Sequence, residues 1–282
     1  MNTNANSQLP KINFWKTGNY QETIDRVYHG EKQVKNFARL LLERAQIEQK
    51  YEKELQAWAT TWEKKIVQDG KEYGSARGAL QATFEATRMV AETHDTMADE
   101  LRRLARKNGS WRRAHYIKNV SDELRSALAL KRRFESVQQN WIDLNKAEID
   151  AKNAYMAACQ NEEEAQRNDE TNLSALEETS ATLSQEYHEA VQSRAEYRDK
   201  YVEDMESIFK LAQGDEIDRK KFVKEQLLEM CTVLDTTKYE DSFISHEALQ
   251  NILDEIDVEA DVNTWDCCLG PTSSNQIPDV YE

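Results

Sequence analysis

The sequence predicts an all-α protein, an elongated antiparallel bundle of very long helices, and three observations carry that prediction. No proline occurs between Pro10 and Pro271, and the chain holds only eight glycines in 282 residues. A proline inside a helix costs about 3 kcal/mol and a glycine about 1 relative to alanine, so the stretch is free to stay helical. Third, 32% of the residues are charged and 39% are hydrophobic, with a mean hydropathy of -0.85. That supplies helix seams but not a thick globular core.

The elements follow in order. A first helix spans about 13–67, where Leu40, Leu41, Ala45, Ile47, Tyr51, Leu55, Trp58 and Trp62 recur at helical spacing. Asp69 and Gly70 stop it, because glycine tolerates the left-handed conformation that ends helices. Gly70, Gly74 and Gly78 lie among charged residues and read as a turn. A second helical region spans about 75–167, with a bend or local irregularity expected at 108–110, where the two basic stripes lose their common phase. The polar run 167–172 reads as a turn, followed by a capping box of Ser174 and Glu177. A third region extends to about 234, with Gly214 and Asp215 a possible kink, and a shorter helix covers about 239–256.

No linker rich in Pro, Gly or Ser divides residues 11–270, which favours one elongated domain. Residues 1–10 read as a disordered N-terminal segment and 271–282 as an extended polar tail. With no signal-peptide core and no long uncharged apolar run, the expectation is a soluble, intracellular protein. Cys159, Cys231, Cys267 and Cys268 lack the spacing of a disulfide framework or a zinc site; Cys159 reads as a seam residue and the last two as reduced thiols. Long helices need an apolar face buried, and a thin bundle has much surface for its volume. A homodimer is therefore expected, with Phe14, Trp15, Trp58 and Trp62 at its interface and Trp141 adding apolar surface.

Charge is the functional signal. The chain is acidic, with a formal net charge of -15. Yet residues 101–133 hold Arg102, Arg103, Arg106, Lys107, Arg112, Arg113, Lys118, Arg125, Lys131, Arg132 and Arg133 against only Asp122 and Glu123. Lys118, Arg125 and Arg132 recur every seven residues, opposite Ile117, Val120, Leu124 and Phe134, while Arg102, Arg106 and Arg113 form a second stripe. A short charge run is usually a solvated helix face. A block this long in an acidic chain points instead to an anionic membrane, toward which each Lys or Arg contributes about 1 kcal/mol. Nucleic acid fits poorly, because the acidic remainder repels it and no reading module is present.

The residues also resemble those of the F-BAR domains, most closely the syndapin (pacsin) family. Phe14-Trp15, then Gly18-Asn19-Tyr20, is similar to that family's opening motif. Arg44-Ala45-Gln46-Ile47-Glu48 with Tyr51, Leu55, Trp58 and Trp62 resembles its first long helix. Tyr73-Gly74, Trp111, Trp141, Ala157-Ala158-Cys159, Tyr201, Met205-Glu206, Phe209, Leu227-Leu228-Glu229 and Gly270-Pro271 follow in the family's order. The resemblance implies a crescent-shaped antiparallel homodimer that binds phosphatidylserine and phosphoinositides through a basic concave face and bends membranes in endocytosis. It implies a cytoplasmic protein, peripheral at plasma or endosomal membranes. Two departures matter. Where syndapins carry an apolar wedge loop this chain has the polar Asn119-Val120-Ser121-Asp122-Glu123. The family's Src homology 3 domain, which recruits dynamin and actin regulators, has no counterpart before Glu282, so the chain is expected to be an excised membrane-binding domain.

Enzyme and metal readings are weak. His29, His94, His115, His188 and His246 are scattered, with no zinc or catalytic spacing. Asp257, Glu259, Asp261 and Asn263 mimic the odd positions of a calcium loop, but Val262 replaces its glycine and Cys268 its bidentate glutamate. No phosphate-binding glycine loop is present. No enzyme activity and no cofactor are expected. Two function classes remain: a dimeric membrane-binding scaffold that senses or generates curvature, and a dimeric helical adaptor that scaffolds protein partners off the membrane.

Overall fold

The computed structural model describes residues 12–116, 125–168, 171–242 and 246–270. Its elements are α1 (Gln21–Glu63) with a π-helical turn (Lys64–Gln68), α2 (Gly74–His115), α3 (Arg125–Arg167), α4 (Leu173–Val233), a 3-10 segment (Thr236–Ser242), α5 (His246–Asp254) and α6 (Val258–Leu269). Among the described residues no strand occurs. The 61 residues of α4 extend about 90 Å at 1.5 Å per residue, several times an ordinary globular helix.

The long helices serve two packing units. The first holds the described residues up to Gln33 together with Arg112–Lys221. There α3 and α4 run antiparallel: Trp141 stacks on Tyr201 at 4.8 Å, Arg194 pairs with Glu148, and Ser180 donates to Glu162. The segment before α1 closes over α3, where Phe134 is fully buried with Tyr20 stacked on it at 5.2 Å and Phe14 edge-on at 6.2 Å. Gly30 of α1 lets Arg219 of α4 approach, since a Cβ at that position would stand 3.0 Å from the Arg219 Cδ.

The second unit holds Val34–Trp111 and the described residues from Phe222. Here α1 and α2 are antiparallel, joined by Glu48 with His94, Trp58 with Phe84 and Glu63 with Arg88. The first stretch of α4 in this unit runs antiparallel to α2, with Trp111 stacked on Phe222 at 4.5 Å. Leu41, Ala45, Met97, Leu101, Leu104 and Val233 form its core.

Several expectations are corrected. The first helix starts at Gln21 rather than near 13, because residues 14–20 form turns in which Gly18 adopts φ +85 and its N–H donates to Gln138. Residues 108–110 do not interrupt the helix: α2 runs to His115, and Asn108 is buried in the core. Ser174 lies inside α4, so it cannot be that helix's cap; the amides of Ala175 and Leu176 bond the Asn172 carbonyl. Residues 239–256 are divided between the 3-10 segment and α5, and α6 is an element the sequence reading did not assign. The chain turns at 69–73 as read, but Gly78 lies inside α2; residues 169–170 of the second turn lie outside the described residues, and α4 stays helical through Gly214. Residues 1–10, 119–123 and 271–282 lie outside the described residues.

Candidate functional site

Two surfaces stand out. The first is on α1. Leu40, Ile47, Tyr51, Trp58 and Trp62 are spaced seven, four, seven and four residues apart, which keeps them on one side of a helix. They are all between 42% and 58% exposed. A separate stripe of the same helix, Val34, Leu41, Ala45, Glu48 and Ala59, is buried within the unit. The helix therefore carries two apolar seams, one buried by its own chain and one that α2 only half-covers, through Tyr51 on His94 and Trp58 on Phe84. Of the aromatic residues expected at a dimer interface, Trp58 and Trp62 lie on the open seam, while Phe14 packs inward on Phe134 and Phe209 and Trp15 is 42% exposed.

The second candidate is the basic block of the sequence, whose residues are divided between the two units. Arg102, Arg103, Arg106 and Lys107 lie on α2 in the second unit; Arg112 and Arg113 end α2, and Arg125, Lys131, Arg132 and Arg133 lie on α3, in the first unit. Lys118 and its apolar companions Ile117, Val120 and Leu124 fall outside the described residues. The structure allocates these charges unequally. Arg102 pairs with Asp99 at 2.6 Å, Arg103 with Glu100 at 2.8 Å, and Lys107 with Glu229 of α4. Arg112 pairs with Glu31 of α1, both side chains mostly covered. Lys131 reaches Glu135 at only 3.8 Å. Arg106, Arg132 and Arg133 are exposed and have no ion pair among the described residues.

A buried polar chain lies beside the α2 cations of the second unit. The Asn108 amide donates to the Leu104 carbonyl and to Gln226 Oε1, both at 2.9 Å, and Gln226 in turn donates to Glu229, the partner of Lys107. Asn108 and Gln226 are fully buried. In the first unit, Glu216 of α4 accepts from Arg26 and Arg219; burial pushes its carboxyl up, but the bonds from the two guanidiniums hold it below its ordinary value. Beside it burial pushes the Tyr116 phenol up to about 12.

The calcium-like run lies in a different setting from a loop. Asp257 caps α6 through the Ala260 amide, and Asp261 reaches α2, accepting from the Ser75 and Ala76 amides and the Ser75 hydroxyl at 2.7, 3.0 and 2.9 Å. Those bonds from Ser75 and Ala76 hold its carboxyl below the usual range. Gly74, at φ +64, is the residue that permits this, since a Cβ there would meet the Asp261 carboxylate at 2.1 Å. Among the described residues no group of three or more His, Cys, Asp or Glu could hold a metal ion, and no helix is long and apolar enough to cross a membrane. Cys159 is partly buried and the other three cysteines are exposed thiols.

Comparison with known proteins agrees with this architecture. Residues 19–96 match the model of the Fes/CIP4 and EFC/F-BAR homology domain. The chain is 26% identical over 290 residues to protein kinase C and casein kinase substrate in neurons protein 2 of Gallus gallus, covering 96% of this chain and 64% of the relative. The type 1 protein of Danio rerio is 23% identical over 292 residues, again with 64% of its length covered. The chain thus spans slightly less than two thirds of these curated relatives. The crystal structure of the EFC/F-BAR domain of Drosophila Syndapin/PACSIN superposes with a TM-score of 0.78 at 26% identity, over 96% of this chain and 98% of that one. The Imp2 F-BAR domain shares the fold, with a TM-score of 0.69 at 16% identity over 95% of this chain and 91% of that one.

Proposed function

The chain carries an F-BAR domain of the syndapin/PACSIN family, and from that premise we propose that it is a dimeric scaffold that binds anionic membranes and senses or generates their curvature. The crescent-shaped antiparallel homodimer belongs to the proposal, with the open α1 seam of Leu40, Ile47, Tyr51, Trp58 and Trp62 covered by a second copy. The observation that carries the membrane reading is the basic block itself, and within it Arg106, Arg132 and Arg133, which the fold leaves exposed and unpaired among the described residues. At about 1 kcal/mol per cation near an anionic leaflet, these three supply on the order of 6 kcal/mol per dimer before ordering losses.

The polar Ser121, Asp122 and Glu123 cost several kcal/mol to dehydrate, so attachment is electrostatic and weakens with salt. A cytoplasmic, membrane-peripheral location follows, in endocytosis or trafficking. Dynamin and actin regulators are proposed as partners by way of a Src homology 3 domain.

The pairing of Lys107 with Glu229 and of Arg112 with Glu31 favours the second reading, an adaptor that stays off lipids. Co-sedimentation with phosphatidylserine vesicles separates the two. The scaffold reading expects binding that is lost when Arg106, Arg132 and Arg133 are changed to Glu, with helicity and a mass twice 32.8 kDa unchanged. Absence of wild-type binding in low salt would establish the adaptor.

A further inference from the structure

The surface that neither reading uses is on α6. Val258, Val262, Trp265 and Leu269 follow at i, i+4, i+7 and i+11, so they form one stripe along the helix. They are 66%, 50%, 49% and 79% exposed, and no residue of α6 is buried. The helix is held instead by its polar edge: Asp261 bonds the start of α2, and the Asp257 amide donates to the Ser75 hydroxyl at 3.0 Å. This anchoring fixes the helix while leaving its apolar stripe open. A free helix of twelve residues is marginal in water, so an open apolar stripe on one is stabilised by whatever covers it.

Charge says what covers it. Lys238 is the last Lys or Arg of the chain, whereas α5, α6 and the turn between them carry Glu247, Asp254, Glu255, Asp257, Glu259, Asp261 and Asp266. An anionic bilayer is repelled by such a surface, so the stripe is not a membrane anchor. Glu259 is exposed and lies about 100° around the helix from Val258, at the border of the stripe.

We propose that the α6 stripe docks a positively charged amphipathic helix of a partner protein. The partner's apolar side chains at i, i+4 and i+7 pack on Val262 and Trp265, and its Lys or Arg side chains lie beside Glu259.

The test uses the whole chain and a labelled synthetic peptide of about 18 residues, with leucines at helical spacing flanked by lysines. Fluorescence anisotropy should report micromolar binding that the scrambled peptide and a glutamate-flanked version do not share. Val262→Asp with Trp265→Asp should weaken it at least about tenfold, a change of 1.4 kcal/mol or more. The exposed-site variant Glu259→Lys, which cannot disturb packing, should weaken it several-fold. No binding, equal binding of the scrambled peptide, or indifference to both variants would overturn the proposal. Loss of dimer mass in either variant would assign the stripe to a second copy, and loss of vesicle binding would assign it to the membrane; each outcome overturns it too.

Discussion

Arg112 and Arg106 sit in one basic run on one helix, yet the structure predicts different consequences for reversing their charge. The Arg112 side chain is 23% exposed and its partner Glu31 only 12%. Arg112→Glu would set two carboxylates side by side in that setting. Breaking a fully buried pair costs about 3–5 kcal/mol, and the partial exposure here reduces that to about 2–4. Arg106 is exposed and unpaired among the described residues, so Arg106→Glu should stay within about 0.5 kcal/mol of the parent. Urea unfolding at fixed protein concentration reads the difference directly, as a midpoint lowered by about 1 M for Arg112→Glu and unmoved for Arg106→Glu. The charge swap Glu31→Arg with Arg112→Glu should recover most of the loss. On phosphatidylserine vesicles the order reverses: Arg106→Glu weakens attachment of an intact protein, whereas Arg112→Glu lowers stability and leaves attachment of the folded protein little changed. Equal midpoints for the two single variants, or a swap that recovers nothing, would refute the division of the block into structural and available cations.

Two further outcomes follow from buried polar groups. Asn108→Ala deprives Gln226 Oε1 of its donor and should cost about 1–3 kcal/mol, while Asn108→Leu with Gln226→Met should return to within about 1 kcal/mol of the parent; a double-mutant cycle by chemical denaturation measures both. Tyr116 keeps its proton to about pH 12 in the folded protein but ionises near 10 when unfolded, so its contribution is complete below pH 10 and is lost as pH rises through about 12. Denaturation midpoints on either side of that window should fall for the parent and fall less for Tyr116→Phe.

How much of this was legible in the sequence depends on how far apart the interacting residues lie. The long helices were legible because a missing proline is a local fact at every position. Trp58 and Trp62 could be placed at an open face because their spacing alone keeps them on one side of α1. The role of the polar trio 108–110 was not legible, because the Asn108 amide NH2 donates inside the bundle and its partner Gln226 is 118 residues away. The α6 helix was missed for a related reason. Its acidic positions only mimic a calcium loop in sequence, while Asp261 accepts from the amide of Ser75, 186 residues earlier in the chain.

The same limit governs the basic block. Its eleven cations are a sequence fact, but a cation serves a membrane only if its own fold has not already neutralised it. The neutralising groups are remote: Glu31 is 81 residues from Arg112, and Glu229 is 122 residues from Lys107. Counting residues therefore overstates the surface available to lipid, and the local pairs of Arg102 and Arg103 with Asp99 and Glu100 reduce it again. Exposed i,i+3 pairs are worth only a few tenths of a kcal/mol, so an anionic leaflet can compete for Arg102 and Arg103. It cannot do so for Arg112 without opening a contact worth several kcal/mol. The gradation from Arg106 through Arg103 to Arg112 should thus appear as a graded loss of vesicle binding under substitution, steepest where the structure leaves the charge most exposed.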